Sequence, residues 1–159
     1  MSCLFSALSY FHQGVSTPQM RDIICRHLSQ NPTLGGASAA EMISWETGSS
    51  LGAYINRMRS STEWGGAIEI KAYCDIFKRN LRMHSQPNRK DIEFLAEGSG
   101  HPWVFIFWTG NHYEPVTQNE NRRIMNPPQA LPTSRNPYQY SQGTGCKCNH
   151  CLHRNLYRR

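Results

Sequence analysis

The 159-residue sequence predicts an α+β fold, with helices packed on a small, mostly antiparallel sheet. Three observations carry that expectation. Apolar residues recur every three to four positions between Cys3 and Phe77, the period of a helix face. Beyond residue 80 the period shortens to two, with Leu81 and Met83 alternating with Arg82 and His84 as on a half-buried strand. A continuous apolar run, Pro102–Trp108, then leads into the turn residues Thr109-Gly110-Asn111.

Taken in order, Cys3 to His12 reads as a helix with Leu4, Leu8 and Phe11 on one face. The stretch STPQMRDIICRHLSQNP has both ends of a second helix. Ser16 or Thr17 caps it, Pro18 suits its first turn, and Asn31-Pro32 stops it. Met20, Ile23, Ile24 and Leu28 form its apolar stripe. One or two helices lie between Ser38 and Arg59, broken near Thr47-Gly48-Ser49-Ser50. Trp64-Gly65-Gly66 is a tight turn, and Ala67–Phe77 a helix with Ile70, Cys74 and Phe77 inward. The Pro102–Trp108 run, apolar without alternation, reads as a strand buried on both faces. His112–Val116 returns antiparallel to it, with Tyr113 on one face and His112 and Glu114 on the other. From Gln118 the periodicity vanishes. Pro127, Pro128, Pro132, Pro137, Gly143 and Gly145 punctuate a polar segment. The expected organisation is therefore a domain at 1–118 and a disordered basic tail at 119–159.

Charge follows the same division. Residues 1–118 carry ten Lys/Arg against ten Asp/Glu, whereas residues 119–159 carry seven Lys/Arg against Glu120 alone, which accounts for the net +6. A balanced core without a basic-aromatic stripe argues against a nucleic-acid interface there, leaving weak contact through the tail. No apolar run reaches the 18 or so residues of a membrane span, so no membrane role is expected. Met1 is followed by neither a basic stretch nor a cleavage pattern, and the six cysteines then read as free thiols in a reducing, cytoplasmic setting.

The residue with the most chemistry is Cys3. At the first turn of a helix, unpaired backbone N–H groups and the helix dipole favour an anion, which suits a thiolate. A lone cysteine there also reads as a small core hydrophobe. His112, beside the Gly-Asn turn, is placed as a base, and Glu114 two residues on shares its face and is placed to fix the imidazole tautomer. An exposed hairpin histidine beside a solvated glutamate is the plainer reading of that pair. Cys146, Cys148, His150, Cys151 and His153 are dense enough to suggest zinc. Only Cys148 and Cys151 have knuckle spacing, however, and no second pair accompanies them. No metal or organic cofactor is expected.

Three segments, in this order, resemble the ovarian-tumour (OTU) family of cysteine proteases. SCLFSALSYF is similar to that family's nucleophile helix, and WGGAIEIKAYCDIF to its internal Trp-Gly-Gly-x-x-Glu stretch. VFIFWTGNHYEPV is similar to its closing Gly-x-His-Tyr hairpin. The resemblance spans Met1 to Thr117 and implies a papain-type cysteine protease fold. It also implies Cys3 as nucleophile, His112 as general base, Glu114 where the family more often has Asn or Asp, and structural roles for Trp64, Gly65 and Gly66. The implied activity is hydrolysis of isopeptide bonds to ubiquitin or a ubiquitin-like protein, the implied partner.

One departure bears on activity. The family's aspartate stands three residues before the cysteine, a position that here would precede Met1, so the resemblance implies a member truncated at its N-terminus. The alternative expectation is a catalytically impaired OTU-like module that binds ubiquitin or a partner without cleavage.

Overall fold

A computed structural model of the chain describes residues 2–117. Five helices come first: α1 (Cys3–Ser9), α2 (Thr17–Ser29), α3 (Ala39–Thr47), α4 (Leu51–Met58) and α5 (Ala67–Phe77). Four strands follow: β1 (Asn80–Ser85), β2 (Lys90–Phe94), β3 (Trp103–Trp108) and β4 (Tyr113–Pro115). The sheet order is β2-β1-β3-β4. The outer pairings are antiparallel and the central β1–β3 pairing is parallel. The α+β expectation holds, and so does the largely antiparallel sheet.

Local chemistry sets the helix ends. Ser16 and Ser38 each close a capping box, with Gln19 and Glu41 reaching back to the cap backbone. Ser50 accepts from the Ala53 N–H and starts α4 immediately after Gly48 has ended α3 in the left-handed region. The break expected near Thr47–Ser50 is thus a C-cap followed directly by an N-cap.

Three expectations are corrected, and one strand is added. The first helix ends at Ser9, not His12: Phe11 and His12 donate to the Leu8 and Ser9 carbonyls, three residues back, in a tightening turn. The second helix buries Met20, Arg21, Ile24, Cys25 and Leu28, so an arginine stands in the stripe where Ile23 was expected. The added strand, β2, carries no apolar pattern, because Lys90, Asp91, Ile92 and Glu93 are all exposed on a sheet edge and only Phe94 is buried. Strand β3 is buried on one face only. Val104 and Ile106 enter the core, while Phe105 and Phe107 are half-buried and Trp103 is 37% exposed. Neighbours on β1 cover that outer face in place of a second layer. The Arg82 guanidinium lies over Trp103 and Phe105, and His84 meets Phe107 edge-on.

One core joins both halves of the fold. Leu4, Phe5 and Leu8 of α1 pack with Met20, Ile24 and Leu28 of α2, with Ile68, Ile70 and Tyr73 of α5, and with Leu81 and Ile106 of the sheet. Helix α1 is seated between α2 and β4, which places the N-terminal turn of the first element beside the last strand. No helix among the described residues is long and apolar enough to cross a membrane.

Candidate active site

Cys3 is the first residue of α1 and is half-buried. The preceding Ser2 occupies the N-cap position but makes no capping bond from its side chain. Its hydroxyl instead donates to the Ser61 carbonyl at 3.2 Å and accepts from Arg21 at 3.1 Å. The Ser2 side chain thereby leaves the first-turn N–H groups around Cys3 uncapped.

The Trp64-Gly65-Gly66 turn supports this helix from below. An added Cβ at Gly65 would lie 2.8 Å from Leu4 Cδ2 and 3.1 Å from two ring atoms of Phe5, so only a glycine lets the turn press against α1. Glu69 holds the turn in place. It is fully buried, accepts the Gly66 N–H at 2.7 Å, and accepts the Tyr54 hydroxyl at 2.7 Å. Burial pushes its carboxyl up to about 7, against the opposing pull of those two hydrogen bonds. In physical terms the Trp-Gly-Gly-x-x-Glu spacing is a helix start. The glutamate at the third helical position closes back on the glycine that precedes the helix.

The opposite wall is the β3–β4 hairpin. Gly110 takes φ +106 at its tip, a conformation that other residues rarely adopt. The Thr109 N–H donates to the His112 carbonyl at 2.9 Å and the Thr109 hydroxyl donates to Asn111 Oδ1 at 3.0 Å, which fixes the backbone on which the imidazole is mounted. His112 is exposed. Tyr113, the next residue, turns towards α1. Burial raises its phenol above the ordinary range, and the nearby Cys3 adds to that shift. Cys3 and the His112–Tyr113 segment therefore share one neighbourhood although 109 positions separate Cys3 from His112.

Glu114 lies on the outer face of β4, opposite Phe107, and is exposed. Among the described residues no hydrogen bond or ion pair joins its carboxylate to His112, and none joins His112 to Cys3. Contacts of this kind are commonly long in a site without substrate.

The thiols of the domain differ sharply. Cys25 and Cys74 are buried, and desolvation pushes them up to about 11 and about 12 respectively. The Cys74 thiol also donates to the Phe94 carbonyl at 3.7 Å. Neither is placed to react at neutral pH, which leaves Cys3 as the accessible thiol among the described residues. Among those residues no group of three or more His, Cys, Asp or Glu side chains could hold a metal ion. The Cys146–His153 cluster lies outside them.

The sequence nominates Cys3, His112 and Glu114 and by itself assigns no role at the site to Arg21, Glu69, Tyr54 or Tyr113. Glu69 was legible as a capping box three residues after Gly66. Arg21 was legible only as a charge in phase with Met20, Ile24 and Leu28.

A half-exposed thiol at a helix start, packed against a hairpin that carries a histidine, is the arrangement of a cysteine hydrolase. Residues 2–113 match the OTU-like cysteine protease family, and the chain belongs to it. The mouse protein named ubiquitin thioesterase OTU1 is 27% identical over 124 residues, covering 74% of this chain and 34% of its own length. The protein of that name from Saccharomyces cerevisiae is 29% identical over 127 residues, covering 79% and 39% respectively. The chain thus spans little more than a third of these curated relatives. Among solved structures, an ovarian tumour domain in complex with ubiquitin superposes with a TM-score of 0.58 at 23% identity. It covers 72% of this chain and 62% of that one. The viral OTU domain protease from Taggert virus superposes with a TM-score of 0.54 at 17% identity over 72% of this chain and 71% of that one. These two likenesses establish the fold.

Proposed function

We propose that the chain hydrolyses isopeptide or thioester bonds at the C-terminus of ubiquitin or a ubiquitin-like protein, with Cys3 as nucleophile, His112 as general acid–base and Glu114 as the group that orients His112. The observation that carries this reading is the contrast between thiols. Cys3 stands half-exposed at the start of α1 against β4, while Cys25 and Cys74 are buried and hard to ionise. The names of the relatives, and the ubiquitin bound to the ovarian tumour domain, support the substrate class.

The chemistry balances with the chain's own groups. The Cys3 thiolate attacks the carbonyl carbon, and the electron pair moves to oxygen. First-turn N–H groups of α1, which the Ser2 side chain does not cap, are placed to accept that charge. Collapse of the adduct breaks the C–N bond, and imidazolium at His112 gives its proton to the departing lysine amine. A thioester on Cys3 remains. Water, losing a proton to His112, attacks it and releases the carboxylate and the thiol. No step calls for a metal or organic cofactor.

The experiment is labelling by ubiquitin that carries a C-terminal electrophile, read by mass spectrometry of the adduct. The expected product is a single adduct at Cys3. Modification at Cys74 or at one of the tail cysteines would overturn the assignment.

A second reading has its own observation. Glu114 is exposed and stands where the family more often has Asn or Asp, which favours a catalytically impaired module that binds ubiquitin or a partner without cutting it. Measurable ubiquitin binding with no adduct at Cys3 would select it.

A further inference from the structure

We propose that Arg21 is the positioning residue of the nucleophile: its buried guanidinium, reaching from α2, holds Ser2 and Phe5 on either side of Cys3 and so sets where α1 begins. The inference rests on the reading of Cys3 given above. Arg21 is 5% exposed, an unusual place for a charge. One Nη donates to the Met58 carbonyl at 2.7 Å, at the end of α4. The other donates to the Glu63 carbonyl at 2.9 Å and to the Ser2 hydroxyl at 3.1 Å. The guanidinium plane also lies 4.0 Å from the centre of the Phe5 ring. Ser2 passes the link on by donating to Ser61. One side chain thus ties α2, the end of α4, the segment before α5, and both flanks of Cys3.

Stability alone does not call for this residue. Arg21 falls in phase with Met20, Ile24 and Leu28, where an apolar side chain would serve burial at no desolvation cost. Among the described residues it has no carboxylate in ion-pair contact, and burial works against its charge, which the carbonyls and the ring must offset. What the arginine supplies is a rigid fork that reaches three acceptors at once, which neither an apolar residue nor a lysine can do.

Helix α1 needs such a fixture. It has only seven residues, well below the length at which a helix holds itself, and its cap residue does not cap it. A small displacement of its first turn moves the thiol relative to His112, and misplacement by about 1 Å costs on the order of a hundredfold in rate.

Two variants separate positioning from folding. Arg21→Lys keeps the charge and loses the fork, and Arg21→Met keeps the bulk and loses both. Circular dichroism first establishes that each is folded at the assay temperature. On a fluorogenic ubiquitin conjugate, Arg21→Lys is expected to lower kcat about tenfold with KM within about twofold, because the lost interaction acts on the reacting thiol and not on ubiquitin binding. Arg21→Met is expected to lose at least as much. The Ser6 amide, which donates to the Ser2 carbonyl at 2.9 Å, reports the same event without any substrate. Its hydrogen exchange is expected to quicken about tenfold in Arg21→Lys, while the Met20 amide at the start of α2 stays within about twofold. Wild-type kcat in a folded Arg21→Lys or Arg21→Met variant would overturn the proposal. So would Ser6 and Met20 amides that quicken together. If the unsubstituted chain does not turn over ubiquitin conjugates, the proposed activity fails, and the Ser6 amide still decides the role of Arg21.

Discussion

Gly65→Ala is the substitution that most directly probes how the nucleophile helix is seated. The new methyl carbon would stand 2.8 Å from Leu4 Cδ2 and 3.1 Å from Phe5 Cε2 and Cζ, closer than non-bonded carbons approach. Neither neighbour has room to withdraw, since Leu4 is 1% and Phe5 0% exposed. The contact must therefore be relieved by moving the 64–66 turn or α1 itself. Forcing one extra methylene-sized group into a packed core costs about 1–3 kcal/mol. For a domain of roughly a hundred residues that corresponds to a fall of about 4–12 °C in Tm. Gly52→Ala in α4 is the matched control. Its Cβ would meet nothing within 4 Å, and alanine is the better helix former, so Tm should rise slightly, by the equivalent of about 0.5–1 kcal/mol. Both are read by thermal denaturation, with the rate of Cys3 labelling by the ubiquitin electrophile measured on folded protein. Gly65→Ala should slow labelling as well as lower Tm, because the strain falls on the two residues that follow Cys3. A Gly65→Ala protein that melts within about a degree of wild type would refute the reasoning, since it would show that Leu4 and Phe5 yield freely and that the turn does not seat α1.

Other outcomes follow from the same contacts. Glu69 binds its proton more tightly in the fold than in the unfolded chain, so its contribution favours the folded state at low pH and is lost as pH rises from about 4.5 through about 7. Urea titrations should show wild type losing about 2–3 kcal/mol between pH 5 and pH 8 relative to Glu69→Gln, and parallel curves would contradict this. Glu114→Gln should slow turnover, but by less than His112→Ala, because the histidine moves the proton and the glutamate only holds the ring; a full rate in Glu114→Gln would make Glu114 a solvated strand residue. A chain ending at Gln118 should melt within about 5 °C of the full chain, since residues 119–159 have no apolar periodicity with which to pack. A larger drop would place part of that segment in the folded domain.

The helical half was legible because its signals are local. Ser16, Ser38 and Ser50 announce helix starts through hydrogen bonds that close within three residues, and Gly48 announces a stop through its own backbone freedom. The order of three short segments was enough to reach the family, and that resemblance, more than position, singles out Cys3 and His112. What the sequence could not determine was set by pairing across distance. Strand β2 has no hydrophobic signature, because an edge strand with one buried residue takes its stability from the β1 ladder and not from its own side chains. Strand β3 reads as buried on both faces, yet its outer aromatics are covered by Arg82 and His84, which only the register with β1 brings over them. Arg21 looks like a surface charge in a stripe of apolar residues, and only the arrival of the Met58 and Glu63 carbonyls, the Ser2 hydroxyl and the Phe5 ring makes it a buried clamp. The site divides in the same way: residue type and local turn chemistry nominate Cys3 and His112, but the packing of α1 between α2 and β4 decides that their two segments are neighbours, because a residue's neighbours across the core are chosen by the fold and leave no mark on its own stretch of sequence.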